Sequence, residues 1–194
     1  SVLLRSLTTV IQLLDHAKNH KYGVGAYYVN NMENIPAIMK AASDTRSPVI
    51  IQSSRGALKY RNFTYLKHFM YAAVEENTDI PVALHRDHGD TLDSVKKAIA
   101  IGITSVMIDA YHHSFEENVR ITKEVVENAH ARGVSGEAEL GTLGGIEEDI
   151  TGLVKRTDPD QAVNFVEETC VDCLAIASGT SHGAYNFKSE PKLA

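Results

Sequence analysis

The sequence predicts a parallel α/β fold, a (β/α)8 or TIM barrel, of which about six β/α units lie in this chain. Three observations predict it. The hydrophobic pattern switches repeatedly between a helical period and short continuous apolar runs, as β/α units around a parallel sheet require. Successive predicted strands end in reactive side chains: Ser54, then Asp87-His88, then Asp109 with His112 and His113, then Glu137 and Glu139, then Ser181-His182. A barrel collects its site from many strand ends, whereas a doubly wound sheet gathers ligands at one switch point. Finally, the glycine-rich fingerprint of a dinucleotide site is missing after the first strand, where Val29-Asn30-Asn31 stands instead.

Along the chain, a helical stretch at 7–20 precedes the first strand, 23–29, and a helix at 31–42. Ser47-Pro48 opens the second strand, 48–52, because the residue before proline is driven out of the helical region. A helix at 63–76 follows, and Ile80-Pro81 opens the third strand, 81–85, in the same way. Next come a helix at 92–101, a strand at 105–108, a helix at 116–131 and a strand at 134–140. Gly102 and Gly133 stand just past two helices, where a left-handed residue suits glycine. Asp158-Pro159 supplies a cap and a first-turn proline for a helix at 160–168, and the sixth strand is 173–177. The strands are rich in Val, Ile, Ala and Leu without polar alternation, as expected of strands covered on both faces.

At 194 residues with 43% hydrophobic content, the chain is expected to form one domain, 1–194, with a sizeable core. Its 19 basic and 25 acidic residues give a net charge of −6, and the basic residues are scattered, which argues against nucleic acid or an anionic membrane as partner. There is no apolar run long enough to span a bilayer and no secretory leader, so a cytoplasmic location is expected. Cys170 and Cys173 are the only cysteines; with no second pair, they read as two packed thiols at a helix-to-strand junction.

The chemistry concentrates in a few segments. Asp87 and His88 are adjacent just past the third predicted strand, where their side chains can diverge and Gly89 can turn the backbone at once; the alternative is a solvated loop. Gly179-Thr180-Ser181-His182-Gly183 pairs a histidine with glycines whose amides can approach an anion. Two strand-end histidines, His88 and His182, are a natural start for a catalytic zinc site, which takes about three protein ligands. Glu137 and Glu139 share one strand face, either the barrel interior or the helix layer, where an unpaired carboxylate is costly. The glycine-rich acidic segment 141–149 is a solvated connection or a mobile lid carrying a general acid or base. His112 and His113 point in divergent directions and read as outer or solvent-facing residues.

In this order and spacing, the segments resemble class II fructose-bisphosphate aldolases, including the tagatose-bisphosphate aldolases. The likeness rests on Lys21-Tyr22-Gly23-Val24-Gly25-Ala26, Asn30-Asn31-Met32-Glu33, Gln52-Ser53-Ser54-Arg55-Gly56-Ala57, Asp87-His88-Gly89, Met107-Ile108-Asp109, Phe115-Glu116-Glu117-Asn118, Glu137-Ala138-Glu139-Leu140-Gly141 and Gly179-Thr180-Ser181-His182-Gly183-Ala184-Tyr185. The resemblance implies reversible, zinc-dependent cleavage of fructose 1,6-bisphosphate to dihydroxyacetone phosphate and glyceraldehyde 3-phosphate. It implies that His88 and His182 bind one Zn2+, with a monovalent cation as a further ligand of the site. Asp87 then handles the hydroxyl proton at the bond being made or broken, and Glu147 the proton at the carbon that becomes the enediolate. Asp109 and Glu139 match carboxylates near the metal; Gln52, Ser54 and Gly183 match substrate- or phosphate-binding positions. It further implies a homodimer or homotetramer acting on a phosphorylated sugar. Family chains are longer and take a third histidine ligand from later strands, so a C-terminally incomplete barrel domain is expected.

Several positions depart from the family pattern: Tyr28 stands where an asparagine is usual, Arg86 for an apolar residue, Ala110-Tyr111 for glycine-serine, Ser114 for proline and Asn186 for lysine. Two other readings compete. One is a noncatalytic fragment or degenerate relative; the other is a Schiff-base aldolase, for which Lys188 is the candidate lysine.

Overall fold

The computed structural model describes residues 7–53, 63–77, 79–141, 144–147, 150–152, 156–179 and 181–182. In chain order they form β1 (Leu7–Thr8), α1 (Val10–His20), β2 (Gly25–Tyr28), α2 (Asn34–Thr45), β3 (Val49–Ser53) and α3 (Phe63–Glu76). These are followed by β4 (Val82–Gly89), α4 (Leu92–Ala100), β5 (Ser105–Ile108), α5 (Phe115–His130) and β6 (Ser135–Leu140). The last elements are β7 (Gly144–Glu147), β8 (Ile150–Gly152), α6 (Pro159–Thr169), β9 (Cys173–Ile176) and β10 (Ser181–His182).

The main sheet runs β2-β3-β4-β5-β6-β9, with every neighbouring pair parallel and a helix in each connection. This is the wall of a partial TIM barrel, as the alternating pattern predicts. Strand residues alternate between two apolar layers. Val49, Ile51, Val82 and Leu84 belong to the large core shared with the helices, whereas Ile50 and Ala83 belong to a smaller cluster with Val10 and Leu13 of α1. Helix α1 therefore packs on the inner face at the amino-terminal end of the strands. A hydrogen bond from Val10 N to Ser135 Oγ, 3.2 Å, ties the start of α1 to the start of β6.

The helix ends follow their local chemistry. Thr9 and Gln12 form a capping box on α1, Ser114 caps α5, and Asp158 accepts from Asp160 N and Gln161 N ahead of Pro159 at the start of α6. Gly102 and Gly133 take left-handed backbone angles of φ 96° and 68°, as their positions after helices predict.

The structure corrects four expectations. Leu7–Thr8 is not helical: Thr9 caps α1, and the two residues before it pair in parallel with Val82–Ala83. The third strand does not stop at His85 but runs to Gly89. Ser181–His182 is not the end of β9 but a separate short strand on β7, which also pairs in antiparallel fashion with β8. Both cysteines lie at the α6–β9 junction, but Cys170, the left-handed residue that ends α6, is exposed and only Cys173 is partly covered.

Candidate functional site

The site grows from an irregularity in β4. On that strand, His85 pairs with Ser105, Arg86 with Val106 and Gly89 with Ile108, so three steps of β4 oppose two of β5. One surplus residue in a strand breaks the alternation of side chains, which is how a bulge re-aims groups beside a site. Here it falls on Asp87 and His88, and His88 takes a left-handed φ of 45°. The two side chains do not diverge as expected from a loop; His88 Nε2 lies 3.8 Å from Asp87 Oδ1. Gly89 is not a turn residue. It lacks a side chain because β5 passes close by: a Cβ there would stand 2.5 Å from the Met107 carbonyl oxygen.

Strand register assembles the neighbours. Tyr28, Gln52 and His85 share one row across β2, β3 and β4, with Asp87 two residues further along the same face. The Tyr28 hydroxyl donates to Asp87 Oδ2, and Gln52 Nε2 approaches the same oxygen at 3.3 Å. Below them, His85 Nδ1 is 2.9 Å from Ser105 Oγ, and its Nε2 is 3.4 Å from Glu137 Oε2 and 3.8 Å from Asp87 Oδ1. Glu137 thus faces the barrel interior.

A second group lies toward β5 and β6. Asp109 N donates to the Gly89 carbonyl at 2.9 Å, which prolongs the ladder and delivers the Asp109 carboxylate to His88: Oδ2 is 2.9 Å from His88 Nδ1. His88, Asp109 and Glu139 each offer a ligand atom, all within 4.8 Å of one another. Asp109 Oδ1 is buried with no hydrogen-bond partner, an acceptor whose desolvation is uncompensated. One imidazole and two carboxylates, one with an unused buried oxygen, fit a divalent metal ion that accepts nitrogen and oxygen ligands together. Glu139 is itself braced from behind. Buried Asn118 donates from Nδ2 to the Glu139 carbonyl at 3.0 Å, and buried Thr122 donates to Asn118 Oδ1 at 3.0 Å.

The two interior carboxylates are driven apart in acidity. Burial alone would raise Asp87, but the nearby His85, the charge of His88 and the Tyr28 hydroxyl outweigh it and hold the carboxyl at about 2. Burial pushes Glu137 up, with the negative charge of Asp87 adding to it and only partial relief from His85 and His88. One carboxylate is thereby kept ionised while its neighbour holds a proton more readily.

Of the residues singled out from the sequence, Gln52, Asp87, His88, Asp109 and Glu139 come together at the carboxyl ends of β3 to β6. Ser54, Gly183, Asn186 and Lys188 lie outside the described residues. Glu147 and His182 are described through their backbone: β10 pairs with β7, with His182 opposite Gly145, so the strands that carry both residues are neighbours. His112 and His113 are exposed, with ring centroids 4.2 Å apart and planes tilted by 37°, and are not part of the three-donor cluster. Sequence reasoning missed His85, Ser105, Asn118 and Thr122. His85 had a signal, since it stands two residues before Asp87 and must share its face; Asn118 and Thr122, one turn apart on α5, had none that separates them from solvent-facing polar residues.

Comparison with known proteins supplies the family. The family model described as fructose-bisphosphate aldolase class-II matches residues 8–194. The chain is 65% identical over 187 residues to a fructose-bisphosphate aldolase of Giardia intestinalis, covering 96% of this chain and 58% of that protein. It is 49% identical over 191 residues to one from Geobacillus stearothermophilus, covering 97% and 66%. Among solved structures, the YdjI aldolase of Escherichia coli K12 superposes with a TM-score of 0.85 at 37% identity, covering 97% of this chain and 66% of that one. Fructose-bisphosphate aldolase from Campylobacter jejuni gives a TM-score of 0.75 at 26% identity, covering 92% and 60%. The chain thus spans between 58% and 66% of the length of these relatives.

Proposed function

Because the chain belongs to the class-II fructose-bisphosphate aldolase family, we propose that it carries the metal-facing part of a site for reversible cleavage of fructose 1,6-bisphosphate to dihydroxyacetone phosphate and glyceraldehyde 3-phosphate. The observation that carries this reading is the convergence of His88, Asp109 and Glu139 donor atoms within 4.8 Å, with Asp87 beside them. His88 and His182 hold the ion in this reading, and Asp109 and Glu139 stand as metal-proximal or alternate ligands. When bound, a zinc ion supplies Lewis-acid stabilisation of the negative charge that develops on the substrate's carbonyl side during cleavage.

The remaining work falls to this chain's own groups. Asp87, kept ionised at neutral pH, takes the proton from the substrate hydroxyl whose oxygen becomes the aldehyde, and returns it in the condensation direction. Tyr28 and Gln52 occupy its Oδ2 and so orient Oδ1 as the accepting oxygen. Glu147 exchanges the proton at the carbon that becomes the enediolate, from the β7–β8 hairpin. Gln52, Ser54 and Gly183 contact the substrate and its phosphate. Among the described residues no helix is long and apolar enough to cross a membrane, and the reading includes a cytoplasmic homodimer or homotetramer.

A coupled assay for glyceraldehyde 3-phosphate formation, run with metal analysis, tests the proposal. Activity on fructose 1,6-bisphosphate should vanish in chelator and return with Zn2+, and borohydride should trap no covalent adduct. Zinc uptake without cleavage would instead favour a noncatalytic relative, and faster cleavage of tagatose 1,6-bisphosphate would move the substrate assignment.

A further inference from the structure

On the inner face of the sheet, one row below Asp87, His85 is almost fully buried, at 3% exposure. Its Nδ1 lies 2.9 Å from Ser105 Oγ on β5, and its Nε2 lies 3.4 Å from Glu137 Oε2 on β6 and 3.8 Å from Asp87 Oδ1. Register brings the first pair together. His85 and Ser105 stand opposite one another in the β4–β5 ladder, so their side chains share a face. Glu137 stands opposite Met107, two residues beyond Ser105, and Asp87 two residues beyond His85. The two carboxylates therefore form the row nearer the carboxyl rim, and Ser105, buried like His85, lies beneath it.

The donor and acceptor rules assign the two ring nitrogens. An ionised carboxylate only accepts, and Nε2 faces two of them, so Nε2 carries hydrogen. A neutral ring then has its lone pair on Nδ1, and the hydroxyl at 2.9 Å is a donor for it. Turning the ring over about its Cβ–Cγ bond would put carbon atoms where both nitrogens stand and leave a buried hydroxyl without this partner, which is costly. In the observed orientation the Nε2–H dipole presents its positive end to both carboxylates. It steadies the charge on Asp87 and offsets the repulsion between Asp87 and Glu137.

We infer that Ser105 is a positioning residue for the cleavage: its hydroxyl donates to His85 Nδ1, holds the ring hydrogen on Nε2, and through that hydrogen keeps Asp87 Oδ1 in place as proton acceptor. Ser105 acts only through His85 and is not among the donors of the metal cluster. Its role complements that of Tyr28 and Gln52, which hold the other oxygen of Asp87. The role in cleavage rests on Asp87 being the base, whereas the tautomer of His85 does not.

Long-range proton–nitrogen correlation spectra of the zinc-loaded chain at about pH 9, above the ordinary imidazole range, read the tautomer directly. The His85 ring is identified by the signals that vanish in His85→Gln. Wild type should carry hydrogen on Nε2 alone, and Ser105→Ala should shift it to Nδ1 or mix the two forms. In the same variant kcat on fructose 1,6-bisphosphate should fall by roughly 10- to 100-fold with KM nearly unchanged, because slight misplacement of a reacting group costs up to about 100-fold. Ser135→Ala is the control. Ser135 is similarly buried in the same row but accepts from Val10 N, so its loss should leave the His85 spectrum and kcat as in wild type. Circular dichroism checks that each variant is folded. Hydrogen on Nδ1 of the wild-type ring, or a Ser105→Ala chain with wild-type nitrogen signals or wild-type kcat, would overturn the inference. Should the wild-type chain cleave nothing, the aldolase reading fails by itself, and the two spectra still decide whether Ser105 sets the ring.

Discussion

The Tyr28 hydroxyl donates to Asp87 Oδ2, the same oxygen that Gln52 Nε2 reaches at 3.3 Å. Two adjoining strands therefore fix one edge of a buried carboxylate and turn its other oxygen toward His85 and His88, each 3.8 Å away.

Tyr28→Phe removes that donor and leaves the ring. A hydrogen bond to a charged group contributes about 1.5–3 kcal/mol, so kcat should fall by roughly 10-fold or more, with a smaller change in KM. Steady-state kinetics of the metal-loaded enzyme provide the check, and an unchanged kcat would mean that Gln52 alone orients Asp87.

Asp109→Asn keeps the shape of the side chain but removes a carboxylate facing His88 Nδ1. Zinc affinity should drop by about 10- to 100-fold, as for loss of a charged partner to a metal-site imidazole, and further if Asp109 is itself a ligand. Competition with a chromogenic chelator measures it. Equal affinity in the two proteins would remove Asp109 from the metal site.

Asn118→Ala should destabilise the fold by about 2–4 kcal/mol, because the Glu139 carbonyl and the Thr122 hydroxyl both lose a buried partner and a cavity opens between α5 and β6. Urea unfolding gives the number. Thr122→Val, which spares the bond to Glu139, should cost less.

Asp87 and Glu137 should give stability opposite dependences on pH. Asp87 has a depressed folded value of about 2 against 3.8, so it contributes about 2 kcal/mol above 3.8, and the contribution disappears as pH falls toward 2. Glu137 has a raised folded value, so its contribution is present below 4.5 and is lost as pH rises through that raised value. Thermal melts of the metal-free protein from pH 2 to 8 should show Asp87→Asn lacking the acid-side loss. Glu137→Gln should gain on wild type toward neutral pH, and parallel curves for all three proteins would refute the assignment.

The two thiols should differ in reactivity. Burial, reinforced by Glu137 and Asp172, pushes Cys173 up to about 12, whereas Cys170 is exposed. Iodoacetamide at pH 8 should label Cys170 alone in the folded protein and both cysteines in denaturant, read by peptide mass. Rapid labelling of Cys173 in the native chain would contradict its burial.

The strands and helices were legible because continuous Val/Ile runs and Pro-opened segments are local signals: Val49–Ser53 and Ser105–Ile108 lie where the pattern predicts. The end of β4 was not, since Asp87 and His88 look like a loop until the neighbouring strand demands one surplus residue. Period two on a strand was enough to pair Glu137 with Glu139, although the face they share depends on closure of the whole wall. Asn118 and Thr122 show the limit of local reading: only the approach of β6 to α5 gives two polar helix residues a buried task. The hairpin formed by β7 and β8 was hidden in glycine-rich sequence, because its pairing comes from register rather than composition.

Val10 and Leu13 of α1, seated against Ile50 and Ala83, cover the inner face of the sheet at the amino-terminal end of the strands. Gln52, His85 and Asp87 stand further along that same face, so the apolar cluster walls off one end of it and leaves the carboxyl end for chemistry.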